Sequence, residues 1–485
     1  MMNASEYASY DGLGLGELIQ RGDISRQELA EVALGAIDTL NPLVNAVIET
    51  YPAAAQASAK PAAGAGAKFD GVPFLLKDIG SHDADVTFEL GSRLSKGLKA
   101  PPFASELINR FRQSGVTILG RTNVPEMGSS CTTEPLLYGP TGNPWNLERT
   151  AGGSSGGAAA AVASGMVPIA HANDAGGSIR WPAACCGLFG LKPSRNLNPH
   201  GPDTALALNG LAAEHIVSRT VRDTAAMLDY TAGPDAGAWC YTPRLDGSYL
   251  DALQQPLKPL RIGINLNPVF PPTTLQAEVV TAIRDTGTLC ASLGHYVEEA
   301  TFTFDHETLL RAFAIIWSCN LRAGVEMLSG MTGNAIDSHH LEAHVLVAWR
   351  DAGQVSASQL LWALEQMNIA SRAYGEFFQR YDVMLTPAGS MEPFEIGKIG
   401  KIATPSFFEW FLEMCSHCPF LSTANIAGIP AMSVPLHWSA GGLPVGSHFL
   451  AKMGAESLLL QLAAQLEVAR PWAQKVPPHH ISRYR

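Results

Sequence analysis

Charge is scarce in this sequence, and that scarcity excludes several classes of protein. Only 16% of the 485 residues are charged, and 44 acidic residues against 33 basic ones leave a formal net charge of −11. Proteins that bind nucleic acids need a basic surface for the phosphates, so we expect no nucleic-acid partner. A run of about 18 consecutive apolar residues, which a membrane-spanning helix needs, is also missing. We therefore expect no membrane-embedded part.

Cysteine is also sparse, and its spacing does not indicate a metal site. Among the eight cysteines, Cys185 and Cys186 are adjacent, and Cys415 and Cys418 form a lone CxxC. A zinc site would need a second pair of ligands, so we expect no metal and interpret these residues as free thiols in a reducing cytoplasm. The N-terminus has neither the basic nor the apolar segment of a signal peptide, which also favours a cytoplasmic protein.

Strand and helix patterns alternate along the chain, and no linker divides it. The patterns predict strands at 116–119, 260–264 and 383–386 and helices at 25–40, 156–165 and 274–293. We expect Asn41-Pro42 to stop the first of these helices. Residues 52–68 are rich in small residues and predict a loop or a frayed helix. The alternation predicts an α/β fold in a single domain, 1–485, with a helical region at 1–70 packed on it.

Two serines, 24 positions apart, each lie in a glycine-rich segment. Ser154 lies in Gly-Gly-Ser-Ser-Gly-Gly at 152–157, and Ser178 lies in Asp-Ala-Gly-Gly-Ser-Ile-Arg at 174–180. Glycine leaves backbone N–H groups uncovered, and a hydroxyl beside such groups provides the nucleophile and the oxyanion hole of an acyl-transfer site.

A base for such a site is available at Lys77, which ends the apolar run Val-Pro-Phe-Leu-Leu-Lys at 72–77. Burial would lower its pKa and leave it neutral. The alternative is an ordinary lysine at a strand end, with its ammonium group in water.

The first serine segment also matches G-x-S-x-G, the nucleophile motif of α/β-hydrolases. In that alternative Ser154 is the nucleophile, and an aspartate and a histidine follow it in the chain. This interpretation leaves Lys77 and residues 174–180 unexplained.

Several motifs together resemble the amidase signature family over roughly residues 10–475. They are GVPFLLKD at 71–78, GRTNVPEM at 120–127, AGGSSGG at 151–157, NDAGGSIRWPAACCGLFGLKPS at 173–194 and ANIAGIPAMSVP at 424–435. The tracts at 133–157 and 433–446 are most similar to the 6-aminohexanoate cyclic-dimer hydrolase branch. The resemblance implies an α/β/α sandwich around a large mixed sheet, with the catalytic motifs at 71–200.

The resemblance also assigns roles to individual residues. It implies Ser178 as nucleophile, Ser154 as a bridging serine after a cis peptide bond, and Lys77 as general base. It implies that the N–H groups of Ala175, Gly176, Gly177 and Ser178 hold the oxyanion. Asp174 and Arg180 flank the nucleophile in apolar, glycine-rich surroundings, so we expect a pair that orients the loop, the alternative being two solvated charges. Candidate substrate contacts are Met127, Gly128, Ser129, Cys131, Trp181 and Cys319, although Trp181 is equally consistent with a core residue. No cofactor is implied.

These observations predict an amide hydrolase that acts on a small molecule. We expect a small apolar, aryl or cyclic amide, or a carbamate, as substrate, and a monomer or a homodimer as the assembly. The alternative is the amidase-like subunit of a tRNA-dependent amidotransferase, which works only within a complex.

Overall fold

The computed structural model describes residues 2–57, 67–268, 270–401 and 404–484. Its α-helices are α1 (Ala4–Ser9), α2 (Gly12–Arg21), α3 (Arg26–Val44), α4 (Pro52–Ala57), α5 (Glu106–Ser114), α6 (Gly156–Ala163), α7 (Arg180–Cys186), α8 (Val221–Thr231), α9 (Tyr249–Ala252), α10 (Ala277–Ser292), α11 (His306–Thr332), α12 (Ala343–Ala352), α13 (Ala357–Arg380), α14 (Phe407–Cys415), α15 (Ser422–Ala427) and α16 (Glu456–Ala469). Single turns of 3₁₀ helix lie at Arg93–Ser95, Glu126–Gly128, Ala207–Gly210, Ile399–Lys401 and Ile481–Arg483.

The strands are β1 (Val47–Thr50), β2 (Pro73–Lys77), β3 (Thr117–Thr122), β4 (Gly142–Asn143), β5 (Asn146–Thr150), β6 (Ile169–Asp174), β7 (Phe189–Lys192), β8 (Ala213–Ser218), β9 (Arg261–Ile264), β10 (Tyr296–Glu299), β11 (Val383–Pro387), β12 (Ala431–Trp438) and β13 (Pro444–Leu450). Eleven of them form one mixed sheet in the order β1-β3-β2-β6-β8-β7-β12-β13-β11-β9-β10, and β4 pairs with β5. This architecture confirms the predicted α/β fold around a large mixed sheet.

Neighbouring residues on the central strands face opposite ways, into two apolar cores. Val383 and Leu385 of β11 pack in one core with α8, α10 and α16, whereas Met384 packs in the other with α6, α11 and α13. Phe449 and Leu450 of β13 divide between the two cores in the same way. Side chains alternate across a strand, so a sheet covered on both faces needs apolar residues at successive positions.

Helix α3 confirms the predicted element at 25–40 but ends later than we expected. The Ser25 hydroxyl accepts the Glu28 N–H at 3.1 Å and caps its start. The helix then continues through Pro42 to Val44 and ends where Asn45 adopts a left-handed conformation with φ 53°. A proline in the last turn removes only one backbone hydrogen bond, so Pro42 does not stop the helix as predicted. Of the segment 52–68, α4 covers Pro52–Ala57, and 58–66 lie outside the described residues.

The sheet places the segments that end in Lys77 and Asp174 at the carboxyl ends of two neighbouring strands. Strands β2 and β6 are parallel neighbours, with Phe74 opposite Ile169. The carboxyl ends of neighbouring parallel strands lie side by side, which is where open α/β sheets bind ligands. Lys77 ends β2 and Asp174 ends β6, so both lie at these carboxyl ends. None of the helices in the described ranges has an apolar stretch of the length that a bilayer crossing requires.

Candidate active site

Lys77 is buried at the carboxyl end of strand β2, where its side chain contacts the glycine-rich segment of Ser154. Its side chain is 1% exposed. Its Nζ lies 2.8 Å from the Oγ of Ser154, 2.8 Å from the Oγ of Ser155 and 2.6 Å from the Oδ1 of Asn173. The peptide bond between Gly153 and Ser154 is cis, as the family resemblance implies. The structure therefore contradicts the alternative of a lysine that reaches water.

The other hydrogen bonds made by Asn173 and Ser155 indicate that both groups can accept a hydrogen bond from Lys77. Asn173 Nδ2 donates to the Ile79 carbonyl at 2.9 Å, so Asn173 Oδ1 faces Lys77 as an acceptor. The Ser155 hydroxyl donates to the Asn173 carbonyl at 3.2 Å and can accept from Lys77. In its neutral form Lys77 has two N–H groups, and these two acceptors match them. Its lone pair is then left for the Ser154 hydroxyl, the geometry of a base that takes a proton from Ser154.

Burial also favours the neutral form of Lys77. Desolvation lowers the pKa of Lys77 to about 7, although the negative charges of Glu214 and Asp174 partly oppose it. A base with a pKa near neutrality is deprotonated in much of the protein at physiological pH and accepts protons readily.

A buried histidine and carboxylate support the strand that carries Lys77. His171 Nδ1 accepts the Lys77 backbone N–H at 3.3 Å, and its Nε2 lies 2.9 Å from Glu214 Oε2. Glu214 also accepts the Ser81 N–H at 3.1 Å. Burial would raise the pKa of Glu214, but the hydrogen bond from His171 and the nearby His200, whose Nδ1 lies 3.8 Å from Glu214 Oε1, bring it below its ordinary value, so Glu214 is ionised. No local motif singles out these two residues, which come together across the pairing of β6 and β8.

Asp174 and Arg180 form a fully buried ion pair that shapes the nucleophile loop. Arg180 Nε donates to Asp174 Oδ2 and its NH2 group to Oδ1, both at 2.9 Å. Asn425 Nδ2 adds a bond to Asp174 Oδ1 at 2.9 Å. Burial alone would raise the pKa of Asp174, but Arg180 holds it well below its ordinary range. The predicted loop-orienting pair is therefore present in the structure, with Asn425 as a third member.

Arg180 also ties the loop to the C-terminal part of the chain. Its NH1 group donates to the Leu421 carbonyl at 2.9 Å and lies 3.0 Å from His448 Nε2, and its NH2 group donates to Asn425 Oδ1 at 2.6 Å. Burial and the charge of Arg180 lower the pKa of His448 well below its ordinary value. A neutral His448 accepts the Arg180 N–H, so each nitrogen of this buried cation has a partner.

We predict that Arg180→Met strongly destabilises the protein, because it leaves the Asp174 carboxylate buried without its counter-ion. Breaking a buried pair from one side typically costs about 3–5 kcal/mol of unfolding free energy. Urea denaturation, monitored by circular dichroism, measures the free energy of unfolding of each variant. The matched control is Arg284→Met, which removes an exposed pair with Glu299 and should change little. Equal urea midpoints for the two variants would contradict this account of the loop.

Three N–H groups around Ser178 have no acceptor within the described part of the chain. They belong to Ala175, Gly176 and Ser178. The Gly177 N–H instead donates to Asp174 Oδ1 at 2.7 Å, which corrects the prediction that Gly177 helps to hold the oxyanion. Gly177 has φ +133°, and a Cβ there would lie 2.7 Å from Leu421 Cδ1. Glycine is therefore required to form the turn rather than to donate to the ligand.

The Ser178 hydroxyl is not hydrogen-bonded to any described residue, Ser154 included. Ser178 lies in the turn between β6 and α7, where it is half-buried. It lines the same cavity as Ser154, next to the unpaired N–H groups. Catalytic hydrogen bonds are often longer or absent without substrate, so the position of Ser178 is compatible with the predicted nucleophile.

Two cavities meet at Ser178, and both also contact Gly128 and Trp317. The narrow cavity has a volume of about 30 Å³ and is walled mainly by aromatic and sulfur-containing side chains. Its walls include Cys131, Trp181, Phe313, Phe411, Met414 and Cys418. The wide cavity has a volume of about 190 Å³. Its walls include Leu90, Met127, Ser154, Asn173, Glu214 and Leu321.

The cavities contain five of the six predicted substrate contacts. Gly128, Ser129, Cys131 and Trp181 line the narrow cavity, and Met127 lines the wide one. Cys319 lines neither of these two cavities, and its contact with substrate stays a prediction. Its neighbours on α11, Trp317, Asn320 and Leu321, do line the wide cavity. Residues three and four apart share a helix face, whereas Cys319 lies two residues after Trp317 and therefore on a different face of α11.

One cluster of possible metal ligands escaped the sequence reasoning. The ligand atoms of Asp337, His339 and His340 lie within 4.8 Å of one another. Asp337 and His339 are exposed, and none of the three lines the narrow or the wide cavity. The serine site therefore does not include this cluster.

Comparison with known proteins identifies the family. The family model described as Amidase matches residues 28–460. A 6-aminohexanoate-cyclic-dimer hydrolase from Paenarthrobacter ureafaciens is 32% identical over 484 residues, which cover 96% of each chain. The structure of a 6-aminohexanoate cyclic dimer hydrolase complexed with substrate superposes with a TM-score of 0.90 at 31% identity, over 97% of this chain and 99% of that one. A bacterial aryl acylamidase gives a TM-score of 0.86 at 26% identity, over 98% and 99%.

The chain belongs to the amidase family, as its motifs predicted. It is a hydrolase that acts on carbon–nitrogen bonds other than peptide bonds.

Proposed function

We propose that the protein hydrolyses amides through Ser178, with Ser154 and Lys77 as a proton relay. The observation that carries this proposal is the buried Lys77 Nζ, which lies 2.8 Å from the Ser154 hydroxyl and within hydrogen-bond distance of Ser155 and Asn173. The G-x-S-x-G alternative makes Ser154 the nucleophile and needs an aspartate and a histidine. Among the described residues, the side-chain hydrogen bond of Ser154 is to Lys77 and not to a histidine, which disfavours that alternative.

Acylation begins when the Ser178 oxygen attacks the amide carbonyl carbon. The Ser178 proton passes to Ser154, and the Ser154 proton passes to Lys77. The N–H groups of Ala175, Gly176 and Ser178 are free to bind the oxyanion, and one such donor typically contributes about 3–4 kcal/mol to lowering the barrier. Lys77 then returns its proton through Ser154 to the amide nitrogen. The carbon–nitrogen bond breaks, the amine leaves, and the acyl group remains as an ester on Ser178.

Deacylation uses the same relay with water as the nucleophile. Water attacks the ester carbonyl and gives a proton through Ser154 to Lys77. That proton returns to the Ser178 oxygen as the ester bond breaks, and the carboxylic acid is released. Lys77 therefore ends the cycle neutral, as it began.

The substrate class is a small apolar, aryl or cyclic amide, or a carbamate. The aromatic and aliphatic walls of the two cavities support an apolar substrate of limited size. The names of the relatives, a cyclic-dimer hydrolase and an aryl acylamidase, support the cyclic and aryl members of this class.

The test is a substrate panel given to the purified chain alone, with mass spectrometry as the readout. The panel contains a linear amide, a lactam, an anilide and an aryl carbamate. Release of the amine from at least one of them supports the proposal. Turnover that requires a partner chain and an ammonia acceptor would overturn it in favour of the amidotransferase subunit.

A further inference from the structure

A chain of hydrogen bonds runs from the Glu214 carboxylate through the His171 imidazole to the backbone of Lys77. The proposed mechanism uses neither His171 nor Glu214. We infer that both are positioning residues of the relay. Glu214 selects the tautomer of His171, His171 holds the strand end that carries Lys77, and the charge of Glu214 sets the pH range in which Lys77 acts as a base. This inference rests on the proposed function and specifies what controls its base.

The two nitrogens of His171 have different partners, and these partners define one tautomer. The backbone N–H of Lys77 can only donate, so His171 Nδ1, 3.3 Å from that nitrogen, is the acceptor. The single proton of a neutral imidazole is then on Nε2, which donates to Glu214 Oε2 at 2.9 Å. A proton on Nδ1 would place two donors opposite each other at a fully buried site, which is costly. The ionised Glu214 therefore selects the tautomer that can hold Lys77.

The contact with His171 extends the link between β2 and β6 to the residue that carries the base. The paired residues of these two strands end with Leu75 opposite Ala170. Lys77 lies two residues further along β2, where the His171 side chain accepts its N–H. Movement of this strand end would change the 2.8 Å contact between the Lys77 amine and Ser154. His171 therefore acts on the relay through the backbone of the base.

Glu214 is itself held by three parts of the fold. It lies in β8 opposite Asn173, and it is 3% exposed. The Ser81 N–H, four residues beyond the end of β2, lies 3.1 Å from each of its two carboxylate oxygens. His171 of β6 provides the third contact. One carboxylate thus joins β6, β8 and the segment that follows β2 around the base.

The buried charge of Glu214 also acts on the Lys77 amine. Burial lowers the pKa of Lys77, and the negative charges of Glu214 and Asp174 oppose this effect. Asp174 is neutralised by its ion pair with Arg180, whereas Glu214 has histidines as its ionisable partners. The charged or titratable groups next to Lys77 and Glu214, or paired with those neighbours, are Asp78 after β2, Arg121 of β3, His171 and Asp174 of β6, Arg180 of α7, His200 after β7 and His215 of β8. Removal of the Glu214 charge should therefore lower the pKa of Lys77.

Glu214→Gln tests the charge, because glutamine has the same shape and still accepts a hydrogen bond. Without the negative charge the protonated form of Lys77 is less stable, so Lys77 stays neutral to a lower pH. We expect the acidic limb of the kcat/KM profile to move about one pH unit lower, at the lower end of the shifts that a close opposite charge produces. A purely structural role would lower activity without moving the limb. A limb at the wild-type pH or above it would overturn the inference.

Glu456→Gln is the matched control. Glu456 is 1% exposed and accepts the Ser194 N–H at 2.7 Å, so it is also a buried carboxylate bonded to the backbone. It begins α16, lines neither cavity at Ser178 and is not among the charges that act on Lys77. Its acidic limb should coincide with that of the wild type. An equal movement of the limb in both glutamine variants would overturn the role of Glu214.

Two variants of His171 test its hold on Lys77. Asparagine can place its Oδ1 where His171 has Nδ1 and still accept the Lys77 N–H, whereas leucine removes the acceptor. His171 lines neither cavity, so the loss should fall on kcat more than on KM. We expect kcat of His171→Leu to be about 10- to 100-fold below that of His171→Asn, because a catalytic group displaced by about 1 Å can lose a factor of this size. Equal kcat values for the two variants would overturn the positioning role.

The proposed function and this inference fail in different experiments. Absence of amide hydrolysis by the wild type would overturn the proposed function, and the inference with it. A wild type that hydrolyses amides leaves the variants to decide the inference alone. If a variant does not fold, neutron diffraction from crystals of the wild-type protein decides the tautomer of His171. A deuteron on Nε2 and none on Nδ1 supports the inference, and a deuteron on Nδ1 overturns it.

Discussion

Replacement of Ser178 by alanine should abolish amide hydrolysis and leave the fold intact. Removing the nucleophile of such a relay typically lowers kcat by about three orders of magnitude or more. The Ser178 hydroxyl makes no hydrogen bond to a described residue, so its loss should not lower the free energy of unfolding. The measurement is kcat for the best substrate of the panel, together with the thermal midpoint of each protein.

Ser433→Ala is the control for this variant. Ser433 lies in β12, is fully buried, and its Oγ also has no hydrogen-bond partner among the described residues. The variant therefore also removes a hydroxyl that has no hydrogen-bond partner, but from a fully buried position outside both cavities, so activity should remain close to that of the wild type. Normal turnover in Ser178→Ala would make Ser154 the candidate nucleophile.

Replacement of Lys77 by methionine should lower kcat/KM by about 10²–10⁴-fold, because the relay loses its base. The wild-type pH profile should show an acidic limb with an apparent pKa of about 7, the value to which burial lowers the pKa of Lys77. Below this pH Lys77 is protonated and cannot accept a proton, and above it activity reaches a plateau. The residual activity of Lys77→Met should lack this limb.

Lys192→Met provides a closely matched control. Lys192 is also 1% exposed, and burial lowers its pKa to about 7 as well. Its Nζ donates to the Pro193 carbonyl at 2.9 Å, and it lines neither cavity. Lys192→Met should keep the acidic limb, whereas Lys77→Met should lose it. An acidic limb that survives in Lys77→Met and vanishes in Lys192→Met would reverse the assignment of the base.

The sequence predicted the parts of the site that lie within continuous motifs. The glycine-rich segments around Ser154 and Ser178 and the apolar run before Lys77 each leave a local pattern in the chain. The parallel pairing of β2 with β6 then brings these segments together, as an α/β alternation leads one to expect. The Asp174–Arg180 pair was predicted for the same reason, because both residues flank one short loop.

The contacts that sequence reasoning missed are mostly long-range. Asn425 and His448 bond to Arg180 from 245 and 268 positions away. Glu214 meets His171 through the antiparallel pairing of β6 and β8. A single amino-acid sequence contains no signal for contacts between residues so far apart in the chain. By contrast, Ser155 and Asn173 lie beside predicted residues, and their contacts with Lys77 depend on side-chain directions that a motif does not specify.

One error came from reading a glycine-rich turn without its hydrogen bonds. Gly177 belongs to this turn, but its N–H donates to Asp174. Gly177 is close to the site, and the direction of its N–H group decides its role.

The most direct test of the account is to locate the covalent intermediate. An aryl carbamate that leaves a slowly hydrolysed carbamoyl group should raise the mass of the intact protein by one carbamoyl unit. Peptide mapping should place that group on Ser178, and Ser178→Ala should not acquire it. A carbamoyl group on Ser154, or full turnover with no covalent adduct at any time, would contradict the central claim that Ser178 is the nucleophile of a Lys77–Ser154 relay.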